Sequence, residues 1–345
     1  MRAKTRRNAY FAAGLLGAGF LLPFLTSDTY LLIVIGSGLL FGILAMSLDL
    51  LWGYSGILNL APALSFGIGA YSWGIVSDLI EGPLGTLLAL LVVVLLSSGL
   101  AASVAFVSFR SGTKEIYFAL ITLALTLALQ QIAEVATDLT GGSNGLIGIA
   151  APTIGIPGLV EFSLDTPVAL FYAAVVATAL ALWFSSRLVA GRLGTILKAI
   201  RESDQRAETL GYSTLSHRVL ISAISAAMAA VAGMLYAPMT GIVDPSVFGI
   251  ALSVQVFVWV AIGGAGTLVG PLIAAVLLTS SQATLSGSSA TVYLLTTGVG
   301  FILIVLFMPK GLASLGNLFR RRRPQRESVR DQNSSPVLEG ADRGQ

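Results

Sequence analysis

Residues able to do acid–base, nucleophilic or metal chemistry are scarce in this 345-residue chain and poorly arranged for it. The only histidine is His217 and there is no cysteine, which excludes disulfides, thiolate clusters and a histidine-built metal centre. No G-x-x-x-x-G-K-[ST] stretch occurs, so the chain has no P-loop with which to cradle nucleotide phosphates. With one histidine and few acids inside apolar segments, neither a Ser-His-Asp set nor a carboxylate pair can be assembled. An enzyme is not expected, and no cofactor or metal is implied.

What remains is chemistry of binding, carried by polar residues and backbone breaks within apolar runs. The stretch GYSGILNLAPALSFGIGAY holds Gly53, Gly56, Gly67, Gly69 and Pro62. Such residues permit a broken helix, tolerated at membrane depth only where it faces protein or a watery cavity. Half-helix ends can hold a zwitterion, N–H groups toward its carboxylate and carbonyls or acids toward its ammonium. Close helix packing through small residues explains the same glycines equally simply. Asn59 and Tyr71 are the side chains of this stretch that could face a solute, and Thr122 joins them as a path candidate. GGAGTLVGP at 263–271 is a second Gly/Pro break, in the other half of the chain. Gln130, Gln131 and Glu134 form a polar patch that either lines an outer mouth or bonds a neighbouring helix. Asp49 lies near the inner end of an apolar run, where a structural role suffices.

These residues are positioned by membrane helices. The chain is 55% hydrophobic and 11% charged with mean hydropathy +0.86, against about 25% charged residues in a soluble domain. Apolar runs of spanning length recur throughout. All Lys and Arg residues fall in four blocks, 2–7, 110–114, 187–218 and 310–343, which the positive-inside rule places in the cytoplasm. Each interval between blocks then crosses an even number of times. The segments are 9–26, 30–51, 58–77 and 84–108; 116–137 and 167–187; and 219–238, 249–263, 270–286 and 290–308. The expectation is an all-α polytopic bundle of about ten crossings with Gly/Pro-broken segments and both termini cytoplasmic. Segments 58–77 and 249–263 are Gly-interrupted or short, and read as candidates for re-entrant or broken helices. Asp28, Asp78, Glu81, Asp138, Glu161, Asp165 and Asp244 fall in the expected outside loops. Residues 1–8 form a cytoplasmic N-terminus before a retained first helix. A membrane domain covers 9–316, with a cytoplasmic loop at 188–217 and an outside loop at 138–166. The tail 317–345 reads as disordered, with Arg320–Arg323 anchored at lipid headgroups rather than on nucleic acid.

One segment stands apart. GRLGTILKAIRESDQRAETLG (191–211) holds seven charged residues between long apolar runs. Helix formers dominate it, and Gly211 sits where a C′ glycine would end a helix. Ile196, Leu197, Ile200, Ala207 and Leu210 form an apolar stripe, and Glu202 precedes Arg206 by four residues, the favourable order for a helical ion pair. The segment is expected to be an amphipathic helix, either lying on lipid headgroups or docking in a groove of a cytoplasmic partner.

GRLGTILKAIRESDQRAETLGY resembles the cytoplasmic loop of branched-chain amino acid-type ABC importer permeases, the LivM-like subunits. Four further stretches match that family in order: SLDLLWGYSGILNLAPALSFGIGAYS (47–72), IYFALITLAL (116–125), LTGGSNGLIGI (139–149) and GGAGTLVGPLIAA (263–275), and the closing FMPKGLASL (307–315) fits as well. The resemblance covers about 8–316. It implies a multi-pass permease subunit of a prokaryotic inner membrane, working by alternating access with a separate ABC ATPase, a second related permease and an extracytoplasmic binding protein. It implies that the ATPase is met through Gly191, Arg192, Gly194, Lys198, Ala199, Ile200, Arg201, Glu202, Glu208, Leu210 and Gly211. It also places binding-protein docking at Gly141, Gly142, Asn144 and Gly145, which by themselves read as a tight turn. Branched-chain amino acids are the expected substrate, with urea, short amides or other small solutes as alternatives. The family's Gly-His-Ala-Ala-Phe-Phe-Gly is replaced here by Ala61-Pro62-Ala63-Leu64-Ser65-Phe66-Gly67, and loss of that histidine bears on substrate identity. An autonomous ion-coupled carrier or channel is the competing class, and a membrane scaffold without a path is a third.

Overall fold

The computed structural model describes residues 28–80, 82–113, 115–156 and 160–286, with scattered helical positions between 14 and 23. The expected spans 9–26 and 290–308, residues 1–8, the closing FMPKGLASL and the tail 317–345 lie wholly or largely outside the described residues.

The apolar runs become helices at the expected places. Helix α1 (Thr29–Leu48) continues into a π-helical stretch, Asp49–Ser55, which stops at Gly56 with φ +80°. After a non-helical loop come α2 (Pro62–Leu79), α3 (Gly82–Arg110) and α4 (Glu115–Val135). The next loop carries a single turn α5 (Thr137–Thr140), a 3₁₀ turn at Gly142–Asn144, and strands β1 (Leu146–Ile147), β2 (Thr153–Ile156) and β3 (Val160–Ser163). Then follow α6 (Pro167–Ala190), α7 (Arg192–Glu202), α8 (Asp204–Thr209) and α9 (Thr214–Thr240). Strand β4 (Ile242–Val243), a 3₁₀ turn at Pro245–Phe248, α10 (Ile250–Gly263) and α11 (Val269–Ser286) complete the described chain. Helix starts carry the side-chain caps that chemistry predicts: Asp28 accepts from Tyr30 N–H, Thr166 from Ala169 N–H and Ser213 from Ser216 N–H.

Five of these helices are long and apolar enough to cross a membrane: α1 with its π-helical extension, α3, α4, α6 and α9. Of the two segments read as candidates for re-entrant or broken helices, 58–77 is helical from Pro62 onward and 249–263 from Ile250, with non-helical chain at 56–61 and 264–268. The all-α expectation needs one correction, because β1 pairs antiparallel with β4 and β2 with β3. These strands are two to four residues long, too short for a period-2 pattern to declare itself.

Helix α9 lies against α1, α2 and α3, and α1 is flanked by α6 and α11. The most apolar window of the first span is 72% buried and that of α3 17%, so α1 is central and α3 offers Leu87, Leu91, Leu95 and Leu96 outward. Since lipid is as apolar as leucine, contact between spans relies on small residues and interhelical hydrogen bonds. A methyl group on Gly69 would strike the Ala230 carbonyl, and one on Gly233 the Phe66 carbonyl. Ser225 Oγ donates to the Ser47 carbonyl (2.6 Å) and Ser97 Oγ to that of Ala226 (3.1 Å). Phe41, Phe66, Tyr236 and Trp259, with centroids 5.2–5.5 Å apart, knit α1, α2, α9 and α10.

Long-range bonds gather the loops at two ends. At one end Trp73 Nε1 donates to the Ala150 carbonyl, Thr86 Oγ1 accepts from Thr153 N–H, and Tyr30 Oη reaches the Ala283 carbonyl. At the other, the extended end of α1, the end of α3 and the starts of α4 and α9 meet α7 and α8, and the loop between α10 and α11 joins them through Asp49. Successive long helices therefore alternate in direction.

Candidate functional site

The charged segment folds as two helices rather than one. Helix α6 stops at Ala190, and α7 begins after the single residue Gly191. So abrupt an elbow presses Gly194 onto the backbone of Val189, where a side chain would collide. Helix α7 ends at Ser203, whose extended backbone (φ −166°) breaks the helix and whose hydroxyl caps α8 by accepting from Arg206 N–H. This break overturns the expected Glu202–Arg206 ion pair, since the two residues no longer stand one turn apart; both ion pairs among the described residues belong to Arg218. Gly211 takes φ +83° and ends the segment as expected.

The apolar stripe packs inward, on the protein itself. Leu197, Ile200 and Ala207 are buried, against the π-helical end of α1, α6 and α9. Leu210, expected in that stripe, is instead 73% exposed, because α8 closes one residue before it. The outward face carries Arg192, Lys198, Glu202, Arg206 and Glu208 with Leu210 and Gly211, while Ala199 is half-buried.

Two grips hold this segment to the bundle. Arg201 Nη1 donates to the Gly53 carbonyl, and its stem packs on Gly56. That carbonyl is one of the orphan acceptors at a helix C-terminus, where a cation is also favoured by the helix dipole. Lys198 Nζ stands 5.5 Å from the centre of the Tyr54 ring. The second grip is centred on Arg218, on the first turns of α9. Its Nη2 meets Glu115 Oε1 at 3.0 Å and Asp204 Oδ2 at 2.5 Å, and its guanidinium lies 4.8 Å from the Phe109 ring centre. Thr214 Oγ1 donates to Glu208 Oε1 at 2.6 Å. One buried arginine thus ties the end of α3, the start of α4, α8 and α9 together. Beside it opens a groove of about 690 Å³ lined by Arg110, Thr113, Glu115, Asp204, Glu208 and Arg218.

Sequence reasoning passed over Asp204, Arg218 and Glu115. A signal existed for Arg218, which directly precedes the apolar run 219–238. Its partners, 14 and 103 residues away in the chain, left none.

The path candidates separate into three groups. Asn59 and Thr122 line one cavity with Ser47, Ser65, Ser222 and Ser225, while Pro62 and Phe118 supply apolar wall. Its volume of about 30 Å³ admits a water and nothing of amino-acid size. Asn59 Oδ1 accepts from Ala61 N–H, and Thr122 Oγ1 donates to the Ala119 carbonyl. Gly67, Gly69 and Tyr71 belong to a packing surface instead. The Phe248 ring covers Gly67 and stacks on Tyr71 (centroids 5.5 Å, planes 13° apart), and Gly69 abuts α9. The Tyr71 hydroxyl is buried with no hydrogen-bond partner among the described residues. Gln130 Nε2 donates to Glu134 Oε1 at 3.1 Å within α4, and Gln131 points outward.

Gly141, Gly142 and Gly145 have φ of +73°, +60° and +72°, and Gly145 sits directly on the backbone of Val243 and Asp244. They seat the loop through the β1–β4 pairing, leaving Asn144 exposed beside Ile147.

Comparison with known proteins agrees with this architecture. Residues 30–308 match the family described as branched-chain amino acid transport system / permease component. The high-affinity branched-chain amino acid transport system permease protein LivM of Salmonella typhimurium is 28% identical over 291 residues, 78% of this chain and 67% of that protein. LivM of Escherichia coli K12 is 27% identical over 288 residues, 78% of this chain and 67% of it. LivH of Salmonella typhimurium is 26% identical over 301 residues, covering 83% of this chain and 91% of that protein. No solved structure matches the chain.

Proposed function

The chain belongs to the branched-chain amino acid transport permease family, and from that premise we propose that it is driven through residues 191–211. It is a transport permease of the prokaryotic inner membrane, the membrane subunit of an ABC importer rather than its ATPase. In our reading the chain crosses about ten times with both termini cytoplasmic. The membrane domain covers 9–316, 188–217 faces the ATPase, and 138–166 faces the binding protein. A second related permease completes the pathway.

The observation that carries this reading is the disposition of α7 and α8. Leu197, Ile200 and Ala207 are buried in the bundle, while Arg192, Glu202 and Arg206 stand exposed. Residues 191–211 are gripped at two separated points, by Gly53 through Arg201 and by Arg218 through Asp204. A segment held this way transmits force to several helices at once, as a partner that changes shape with nucleotide requires. The substrate path runs by Asn59 and Thr122, whose cavity is closed to solutes in this conformation. Alternating access would widen it, and the resting closure disfavours an always-open channel. Branched-chain amino acids are the proposed substrates. Pro62, standing at the first position of α2 where the family carries histidine, removes an imidazole from that cavity wall.

The test uses the absence of native cysteine. Gln205 on the exposed side of α8 and Asn144 in the opposite loop are replaced singly by cysteine and cross-linked in native membranes. Gln205→Cys should yield an adduct with a P-loop ATPase and Asn144→Cys should not. An ATPase adduct from Asn144→Cys, or none from Gln205→Cys in an intact complex, contradicts the reading.

A further inference from the structure

Asp49 is the one fully buried carboxylate among the described residues, and the mechanism above makes no use of it. It opens the π-helical stretch at the end of α1. Its Oδ1 accepts from Gly266 N–H at 2.6 Å and its Oδ2 from Leu268 N–H at 2.9 Å. These donors lie in the tight loop before α11, where a helix start favours a negative charge. The carboxylate therefore ties down the loop that leads into α11, from 217 and 219 residues away in the chain.

The loop it holds needs holding. Gly264 and Gly266 have φ of +94° and +81°, and Leu268 has φ +61° without being glycine, a conformation that persists only when its surroundings enforce it. On either side of the loop, Gly263 and Gly270 meet backbone to backbone, so α10 and α11 form one hairpin.

Gly53 closes the circuit. A methyl group there would overlap both Asp49 Oδ1 and the Gly266 nitrogen, so carboxylate, loop and π-helical turn occupy one packed junction. The carbonyl of that same Gly53 accepts from Arg201 of α7. Hydrogen bonds at either end and close packing between Gly53 and Asp49 link α7 to the α10–α11 hairpin. Each step has defined geometry, and Asp49 at the centre is sealed from water.

We propose that Asp49 is a positioning residue that latches the α10–α11 hairpin to the π-helical end of α1, so that displacement of α7 moves the hairpin. This rests on the reading that 191–211 receives the push of an ATPase. The joint lies in a π-helical stretch, an irregularity that is rare and recurs at functional sites. Asp49 makes the hairpin follow the movement of α7.

The test is Asp49→Asn in the full chain within its assembled importer. Asparagine keeps the shape and one acceptor, but turns an NH₂ group toward the second backbone donor. Three quantities are read: ATP hydrolysis, uptake of radiolabelled leucine into vesicles, and amide exchange of the peptide spanning 264–269. The latch predicts hydrolysis within about twofold of the parent, uptake reduced tenfold or more, and exchange at 264–269 accelerated tenfold or more. A residue that merely stabilised the fold would lower assembly, hydrolysis and uptake together. Gly53→Ala, which leaves the carboxylate chemically intact but drives a methyl group between it and the Gly266 nitrogen, should also uncouple uptake from hydrolysis. It decides the question if Asp49→Asn fails to accumulate. Uptake per ATP and loop exchange within twofold of the parent would overturn the latch. If the Gln205→Cys cross-link to the ATPase persists in that case, the coupling reading survives and the latch alone is wrong. If that cross-link never forms, the coupling reading fails, and the exchange result still decides whether Asp49 holds the hairpin.

Discussion

Arg218 holds its buried position through geometry that only a guanidinium supplies. Its Nη2 serves Glu115 and Asp204 together while its planar face rests on Phe109, a stacking surface that an ammonium group lacks. Removing one partner of a fully buried pair costs about 3–5 kcal/mol. Here the two acids keep 42% and 41% of their side-chain exposure, so water still solvates them and a smaller penalty applies. We expect Arg218→Ala to cost about 1.5–3 kcal/mol, in the range of hydrogen bonds to charged groups, read as a lower thermal midpoint of the purified complex. Arg218→Lys should recover less than half of that loss, and full recovery would show that charge alone matters. Neither this knot nor the Asp49 latch was legible in the sequence. A buried ion is recognised by what surrounds it, and here the surroundings come from helices far apart along the chain. Asp49 read as a boundary acid because its two N–H donors belong to a glycine-rich loop that could equally have been a simple turn.

At the scale of elements, hydropathy and the four blocks of basic residues located the helices well, because burying backbone polar groups in lipid leaves the chain little choice but helix. The finer events were not legible. A break at Ser203 looks no different in sequence from a serine within a helix, and strands of two to four residues are set by loop packing alone. Glycines show the same limit, since a break and a close crossing demand the same residue. Structure assigns Gly69 to a crossing with α9, which makes it testable. Gly69→Ala forces a methyl group against the Ala230 backbone and should cost about 1–3 kcal/mol, as overpacking does. Gly99 in α3 has open space where its side chain would stand, so Gly99→Ala should be neutral or stabilising by up to about 1 kcal/mol. Thermal midpoints of the two variants that fail to separate would contradict this assignment.

Across the whole molecule, the described helices divide labour between two ends. One end carries the glycine-seated loop and the short strand pairs. The other gathers α7, α8, the Arg218 knot and the Asp49 junction around the converging ends of α1, α3, α4, α9, α10 and α11. A push on α7 and α8 therefore reaches most of the bundle through contacts already made. The cavity beside Asn59 and Thr122 lies among four of those helices and the 56–61 loop, so their relative movement is what would open it.

The central claim is that this family member is driven through the exposed charged side of 191–211. Its most direct test is a double charge reversal, Glu202→Lys with Arg206→Glu, on two side chains that make no ion pair within the described residues. The altered protein is purified from its native membrane, and co-purifying ATPase is compared with the parent. The account predicts a tenfold or greater loss of the ATPase while the second permease stays bound. Full retention of the ATPase with leucine uptake intact would contradict it.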